Sequence, residues 1–201
     1  MKTLLVTIRG TSRYSQSRPH GLLKEGDETH NDADLRFAKE HLHCDETGMV
    51  FIPPSSFKNA LDEAAKFLSL KKEGSQKYTK HFEAGVAVFE PIPLGIHKDD
   101  IQLEKLFLDS NGKRNSGTRV FRHYPYVEKD WRAEVPFVIL DETVLQRYTG
   151  NKEQTVFEYV LRTAGLYVGI GRWRPARRGY YGRFTVEKIE EVADELLEAA
   201  E

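Results

Sequence analysis

Two helical stripes set among short β-branched runs constrain this chain more than any other feature. Thr3 to Arg9 (TLLVTIR) predicts a strand that begins almost at the first residue. In IPPSSFKNALDEAAKFLSL, residues Phe57, Ala60, Leu61, Ala64, Ala65 and Leu68 recur on one helical face, and Ser55 or Ser56 is a natural N-cap. Gly85 to Phe89 and Glu134 to Leu140 predict a second and a third strand. Gln154 to Ala164 predicts a second helix, with Val156, Phe157, Val160 and Leu161 inward and Gly165 as its stop. A fourth strand is expected around Tyr181 to Val186. Residues 187–201 then predict an acidic amphipathic helix with Ile189, Val192, Ala193, Leu196, Leu197 and Ala200 on one stripe.

Strand, helix, strand, strand, helix, strand is the ferredoxin-like (βαββαβ) order of the α+β class, found in many RNA-binding folds. The expected architecture is therefore one domain over residues 1–201, with residues 10–52 inserted after the first strand and 90–132 between the second and third. Within the first insertion, His41 to Ile52 resembles a hairpin turning at Asp45-Glu46-Thr47-Gly48. The second carries apolar arms around the basic turn Asp109 to Gly117, so a protruding hairpin is expected there. Eleven Phe, nine Tyr and two Trp in 201 residues supply a core and exclude a disordered chain. No apolar run reaches the roughly 18 residues of a membrane helix, and the N-terminus turns polar too soon for a signal peptide. Cys44 is the single cysteine, which excludes an internal disulfide and suits a reducing cytoplasm.

The formal net charge of -1 hides a division. Residues 187–201 contain seven acids and one Lys, leaving 29 basic against 24 acidic side chains in residues 1–186. Lys2, Arg9, Arg13 and Arg18 lie in an opening segment without acids. Arg172, Arg174, Arg177, Arg178 and Arg183 lie in a second, interleaved with Tyr167, Trp173, Tyr180, Tyr181 and Phe184. Arginine forks match phosphates and aromatic faces accept unpaired bases, so this composition suits single-stranded nucleic acid. A solvated basic loop is the plainer alternative.

Two segments together resemble the CRISPR-associated RAMP superfamily: IPPSSFKNAL at 52–61 and VGIGRWRPARRGYYGRF at 168–184. Ile52, Pro53, Ser55, Ser56, Lys58 and Leu61 match the family's entry into its first helix; Pro54, Phe57 and Asn59 depart from it, and Glu63 lies near a position where Arg is common. Gly169, Gly171, Gly179 and Gly182 punctuate the second segment, which matches the basic glycine loop before the family's last strand. GTSRYSQSRPH also looks like the family's opening. The resemblance implies a non-catalytic backbone-like subunit that binds guide RNA in a CRISPR-type ribonucleoprotein. Lys113, Arg114, Arg119 and Arg122 would lie in its thumb, and the short chain suggests a reduced form encoded by a phage or other mobile element. Partners would be single-stranded RNA, further copies of the chain in an oligomer or filament, and other CRISPR-complex subunits, with no membrane and no cofactor.

Independently of the family, free amides at a helix N-terminus beside Ser55, Ser56 and Lys58 offer a phosphate site, and Trp173 offers a stacking face. A simple helix cap and a simple loop with glycines at positive φ are the alternatives. Catalysis has weaker candidates: Asp32 or Asp34 as the acid of an RNA-cleaving subunit, or His20, His30, His41, His43 or His123 as acid or base of an endoribonuclease. His30, His41, His43 and Cys44 offer mixed metal ligands, although adjacent His43 and Cys44 point to opposite faces of a strand. A mimic that occupies a CRISPR complex and a phage single-stranded DNA-binding protein remain open from sequence.

Overall fold

A computed structural model describes residues 1–72, 74–109 and 117–192. In chain order its strands and helices are β1 (Lys2–Gly10), β2 (Tyr14–Ser15), α1 (His30–Phe37), β3 (Met49–Ile52), α2 (Pro54–Leu68), α3 (Thr79–Gly85), β4 (Val86–Ala87), β5 (Ile92–His97) and β6 (Gln102–Asp109). There follow β7 (Arg119–Val127), β8 (Arg132–Ile139), β9 (Arg147–Tyr148), β10 (Asn151–Thr155), α4 (Val156–Thr163) and β11 (Phe184–Val192).

The central sheet has the order β11-β1-β8-β4, antiparallel throughout. Leu4, Val6 and Ile8 alternate along β1 and are buried, as strand pleating requires. Against that face pack Phe57, Leu61 and Ala64 of α2 and Phe157, Val160 and Leu161 of α4. Edge-to-face rings lock the layers: Phe57 lies 6.3 Å from Phe137 and 5.7 Å from Phe184, and Phe137 lies 5.3 Å from Phe157. The fold is thus of the α+β class, and no described helix is long and apolar enough to cross a membrane.

The second insertion projects as the expected hairpin, β6 and β7 pairing from Gln102 opposite Tyr126 to Asp109 opposite Arg119. Lys113 and Arg114 lie outside the described residues. β2 extends this ribbon beside β7, and α1 lies across it. In the first insertion, Cys44 bridges Val50 and the Phe51 amide bonds the His43 carbonyl, closing the expected hairpin, whose β3 arm then pairs with β5.

Several expectations change. The acidic helix does not begin at 187: Glu187–Val192 continues β11, and residues 193–201 lie outside the described ones. Lys188 to Val192 instead pair in register with Thr7 to Thr3 of β1, after a slip between Thr7 and Ile8 that leaves Glu187 as an extra residue. Neither Ser55 nor Ser56 caps α2. Pro53 holds the N-cap position with Pro54 following, where a missing N–H costs nothing. Strand 85–89 shrinks to Val86–Ala87 because Gly85 ends α3. Gly165 does not stop α4, which runs on as a π turn over Ala164–Val168 before Gly169 takes φ 69°.

Candidate nucleic-acid interface

The glycine-rich loop is held against the opening segment by backbone bonds. The Arg172 amide donates to the Ser15 carbonyl (2.7 Å), the Gly182 amide to Arg13 (2.7 Å) and the Thr11 amide to Arg183 (2.8 Å). Two glycines permit the approach. A Cβ on Gly171 would lie 2.3 Å from the Ser15 carbonyl oxygen, and one on Gly182 1.9 Å from that of Ile170; both residues have φ above 70° or equal to it. The conformation serves the packing of the two segments, as the plain reading of these glycines expects, and it also aims the loop's side chains.

This contact builds a cleft of about 250 Å³. Ser55 and Ser56 at the start of α2 line it on one side, Gly171 and Arg172 on another, and Tyr14, Gln16 and Ser17 form its base. The Arg172 guanidinium lies 3.7 Å from the centroid of the Tyr124 ring, which fixes its direction, and its Nη1 is buried without a hydrogen-bond partner among the described residues. Burial pushes the Tyr14 phenol well above its usual range, so it stays a neutral group in the cleft. A second cleft, of about 240 Å³, is lined by Arg18, Lys39 and Lys98 together with the acids Glu40, Asp45 and Glu46. Burial is the first cause lowering the His43 pKa, with the Arg18 charge adding to it, so this imidazole is neutral near pH 7. Gln16 sets the wall: its amide nitrogen donates to the Phe51 carbonyl and its oxygen accepts from the His43 amide.

The sequence-predicted residues divide accordingly. Ser55, Ser56 and Arg172 meet in the first cleft, Arg18 lines the second, and Arg177 and Arg178 are exposed on the same loop as Arg172. The remainder are bonded elsewhere. Lys58 Nζ donates to Asp62 (2.7 Å) and to the Phe82 and Glu83 carbonyls (2.8 and 2.9 Å), which uses all three of its protons. Arg174 pairs Glu63 at 2.8 Å, and Arg13 pairs Glu128 at 2.9 Å while lying over the Tyr126 ring. Arg9 lies 3.4 Å from Glu187, and Arg183 Nε donates to the Leu166 carbonyl. Trp173 is half-buried among Tyr124, Tyr180 and Tyr181, with centroids 4.7 to 6.0 Å away.

Of the catalytic and metal candidates, His20, His30, Asp34 and His41 line one pocket, whereas Asp32, His43 and Cys44 lie outside it. Asp32 closes the α1 cap with Thr29, whose hydroxyl donates to it at 2.6 Å. Asp34 accepts from Arg122 Nη1 (3.0 Å) and from the His123 amide (2.6 Å), pinning α1 to β7. His41 packs on His20, His43 on Phe51, and no cluster of three or more metal-ligating side chains exists among the described residues. Tyr14, Gln16, Ser17 and Lys98 are cleft residues that sequence reasoning passed over. Their only signal was position, beside the opening arginines or in the second insertion.

No family model matches the sequence, and no curated protein does. Solved structures do match. A chain in the cryo-EM structure of the Type III-B Cmr-beta bound to cognate target RNA has TM-score 0.57 and 14% identity, over 95% of this chain and 60% of that one, so this chain spans about three fifths of its length. Cmr6 from Pyrococcus furiosus has TM-score 0.47 and 13% identity over 92% and 98% of the two chains. A chain of a CRISPR RNA-guided surveillance complex has TM-score 0.39 and 11% identity over 94% and 68%. The likeness to the Cmr-beta chain is one of fold.

Proposed function

We propose that this chain binds single-stranded RNA, as a guide-RNA-binding, non-catalytic subunit of a CRISPR-type ribonucleoprotein built on a ferredoxin-like core. One observation carries the reading: the two segments that resemble the RAMP superfamily, more than a hundred residues apart, line a single cleft, with Ser55 and Ser56 from the start of α2 and Arg172 from the glycine-rich loop. Serine hydroxyls and a guanidinium suit a phosphate, and such contacts select no base, so sequence readout is left to pairing within the RNA. The central sheet order supports the ferredoxin-like assignment. The RNA-bound complex that contains a chain of similar fold supports RNA as the ligand and complex subunits as partners. That Asp32 and Asp34 are committed to α1 supports binding without cleavage.

The test is fluorescence anisotropy with labelled single-stranded RNA across a salt series. Arg18→Gln combined with Arg172→Gln should weaken binding and reduce the slope of log K against log salt by about 1.4, the value for two lost contacts on a single strand. Unchanged slope in a variant that melts like the wild type would reject this interface. Equal affinity for DNA of the same sequence would replace RNA with single strands in general, and shortened RNA would replace binding with cleavage. Co-purification with CRISPR subunits but without RNA would favour the mimic.

A further inference from the structure

Beyond His41 lies a separate pocket of about 260 Å³ between α1, β7 and the 18–24 segment. His20, Lys24, His30, Asp34, His41 and Arg122 line it. The one carboxylate, Asp34, is already committed to Arg122 and to His123. What faces the cavity is therefore a surplus of cationic or protonatable groups. His41 is oriented: its Nδ1 lies 3.1 Å from the Arg18 carbonyl, which can only accept, so Nδ1 carries a proton and Nε2 is left for another partner. His20 Nδ1 is buried without a hydrogen-bond partner among the described residues, and its ring packs on both His41 (4.7 Å) and Phe37 (4.9 Å). A buried imidazole nitrogen without a protein partner is a polar group left for a ligand to satisfy.

We infer that this pocket holds a phosphomonoester, either the terminal phosphate of a nucleic-acid strand or that of a free nucleotide. At about 260 Å³ the cavity has room for a phosphate together with part of the group that it esterifies. Lys24 supplies fixed charge, Arg122 shares its guanidinium with Asp34, and the His41 ring donates once protonated. A phosphodiester within a strand carries one charge, whereas a monoester approaches two and gains more from the pocket. His41 also joins the two sites, since its backbone carbonyl and its ring bond Arg18 and its ring feels the Arg172 charge. A strand lying along the clefts would thus bring an end to this pocket. Burial first, then Arg172 and His20, lower the His41 pKa, opposed by the Arg18 carbonyl and Asp34. His41 is accordingly neutral at pH 7.5 and charges on acidification, which sets the direction of the pH effect.

The experiment is histidine-detected NMR titration of the whole chain with inorganic phosphate and with adenosine monophosphate at pH 6.0 and 7.5, paired with anisotropy on RNAs bearing a phosphate or a hydroxyl at either end. Saturable shifts of His20 and His41, tighter at pH 6.0 and weakened about tenfold by the exposed substitution Lys24→Gln, support the site. A preference for phosphate-ended RNA assigns it to strand ends; equal binding of both RNAs with retained nucleotide binding assigns it to free nucleotides. Absent or non-saturating shifts, or an unaltered affinity in Lys24→Gln, overturn it. The strand-end arm rests on the proposed RNA binding and the phosphate arm does not. Loss of RNA binding with intact phosphate shifts would therefore strike the proposed function alone.

Discussion

Arg174 Nη2 lies 2.8 Å from Glu63 Oε2, joining the arginine-rich loop to α2 across 111 residues of sequence. The same guanidinium also reaches the Gly169 carbonyl at 3.3 Å. An acid at position 63 thus holds the loop in place from the helix whose N-terminus it faces.

A double-mutant cycle on Glu63→Gln and Arg174→Met should show coupling on the order of 1 kcal/mol in urea unfolding, because Arg174 is largely buried. Zero coupling would mean that the pair contributes nothing to stability.

Lys58 is the second test of the site. Lys58→Met removes donors from the Phe82 and Glu83 carbonyls and should cost about 1–3 kcal/mol. Its RNA affinity and salt slope, measured well below the melting temperature, should match the wild type, because no proton of this ammonium is free for a phosphate.

Gly182→Ala places a methyl group against the Ile170 carbonyl at φ 70° and should destabilise the protein by about 3 kcal/mol or more. Gly21→Ala, with open space around it, should stay within about 0.5 kcal/mol in the same thermal melts.

Asp141 provides a pH signature. Hydrogen bonds from Thr143, then His81 at 2.6 Å, hold its carboxyl at about 2. A carboxyl depressed by folding stabilises the native state above its unfolded value near 3.8, and that contribution is lost as pH falls from about 4 towards 2. Asp141→Asn should therefore lower stability at pH 7 and flatten the loss between pH 4 and 2, as followed by circular dichroism. A parallel acid curve would place the sensitivity elsewhere.

Periodicity made the core legible. Phe57, Leu61, Val160 and Leu161 are buried where their spacing places them, and β1 and β8 lie close to the predicted runs. Thr79–Gly85 was not legible, because TKHFEAG carries too short a stripe to outweigh its neighbours. β11 was not legible beyond Val186, because Ile189 and Val192 stand at a helical interval while the pairing with β1 that makes them a strand comes from the far end of the chain. Of the candidate arginines, the sequence identified a basic, aromatic loop but could not distinguish Arg172, which lines the cleft and lies over Tyr124, from Arg174, two residues on and neutralised by Glu63.

The sequence by itself determined the class of fold, the helix faces of the core and the projecting hairpin, because each depends on local spacing and on turn chemistry; the two segments that meet at the cleft were marked by their resemblance to a family. Tertiary structure alone decided which charges are free. Arg9, Arg13, Lys58 and Arg174 meet partners that are mostly far away in the chain, and Arg18 and Arg172 line the cavities. The same packing gathers His20, His41 and Arg122 around one pocket. A side chain's charge is written in the sequence, whereas the charge it presents depends on what lies within a few ångströms after folding.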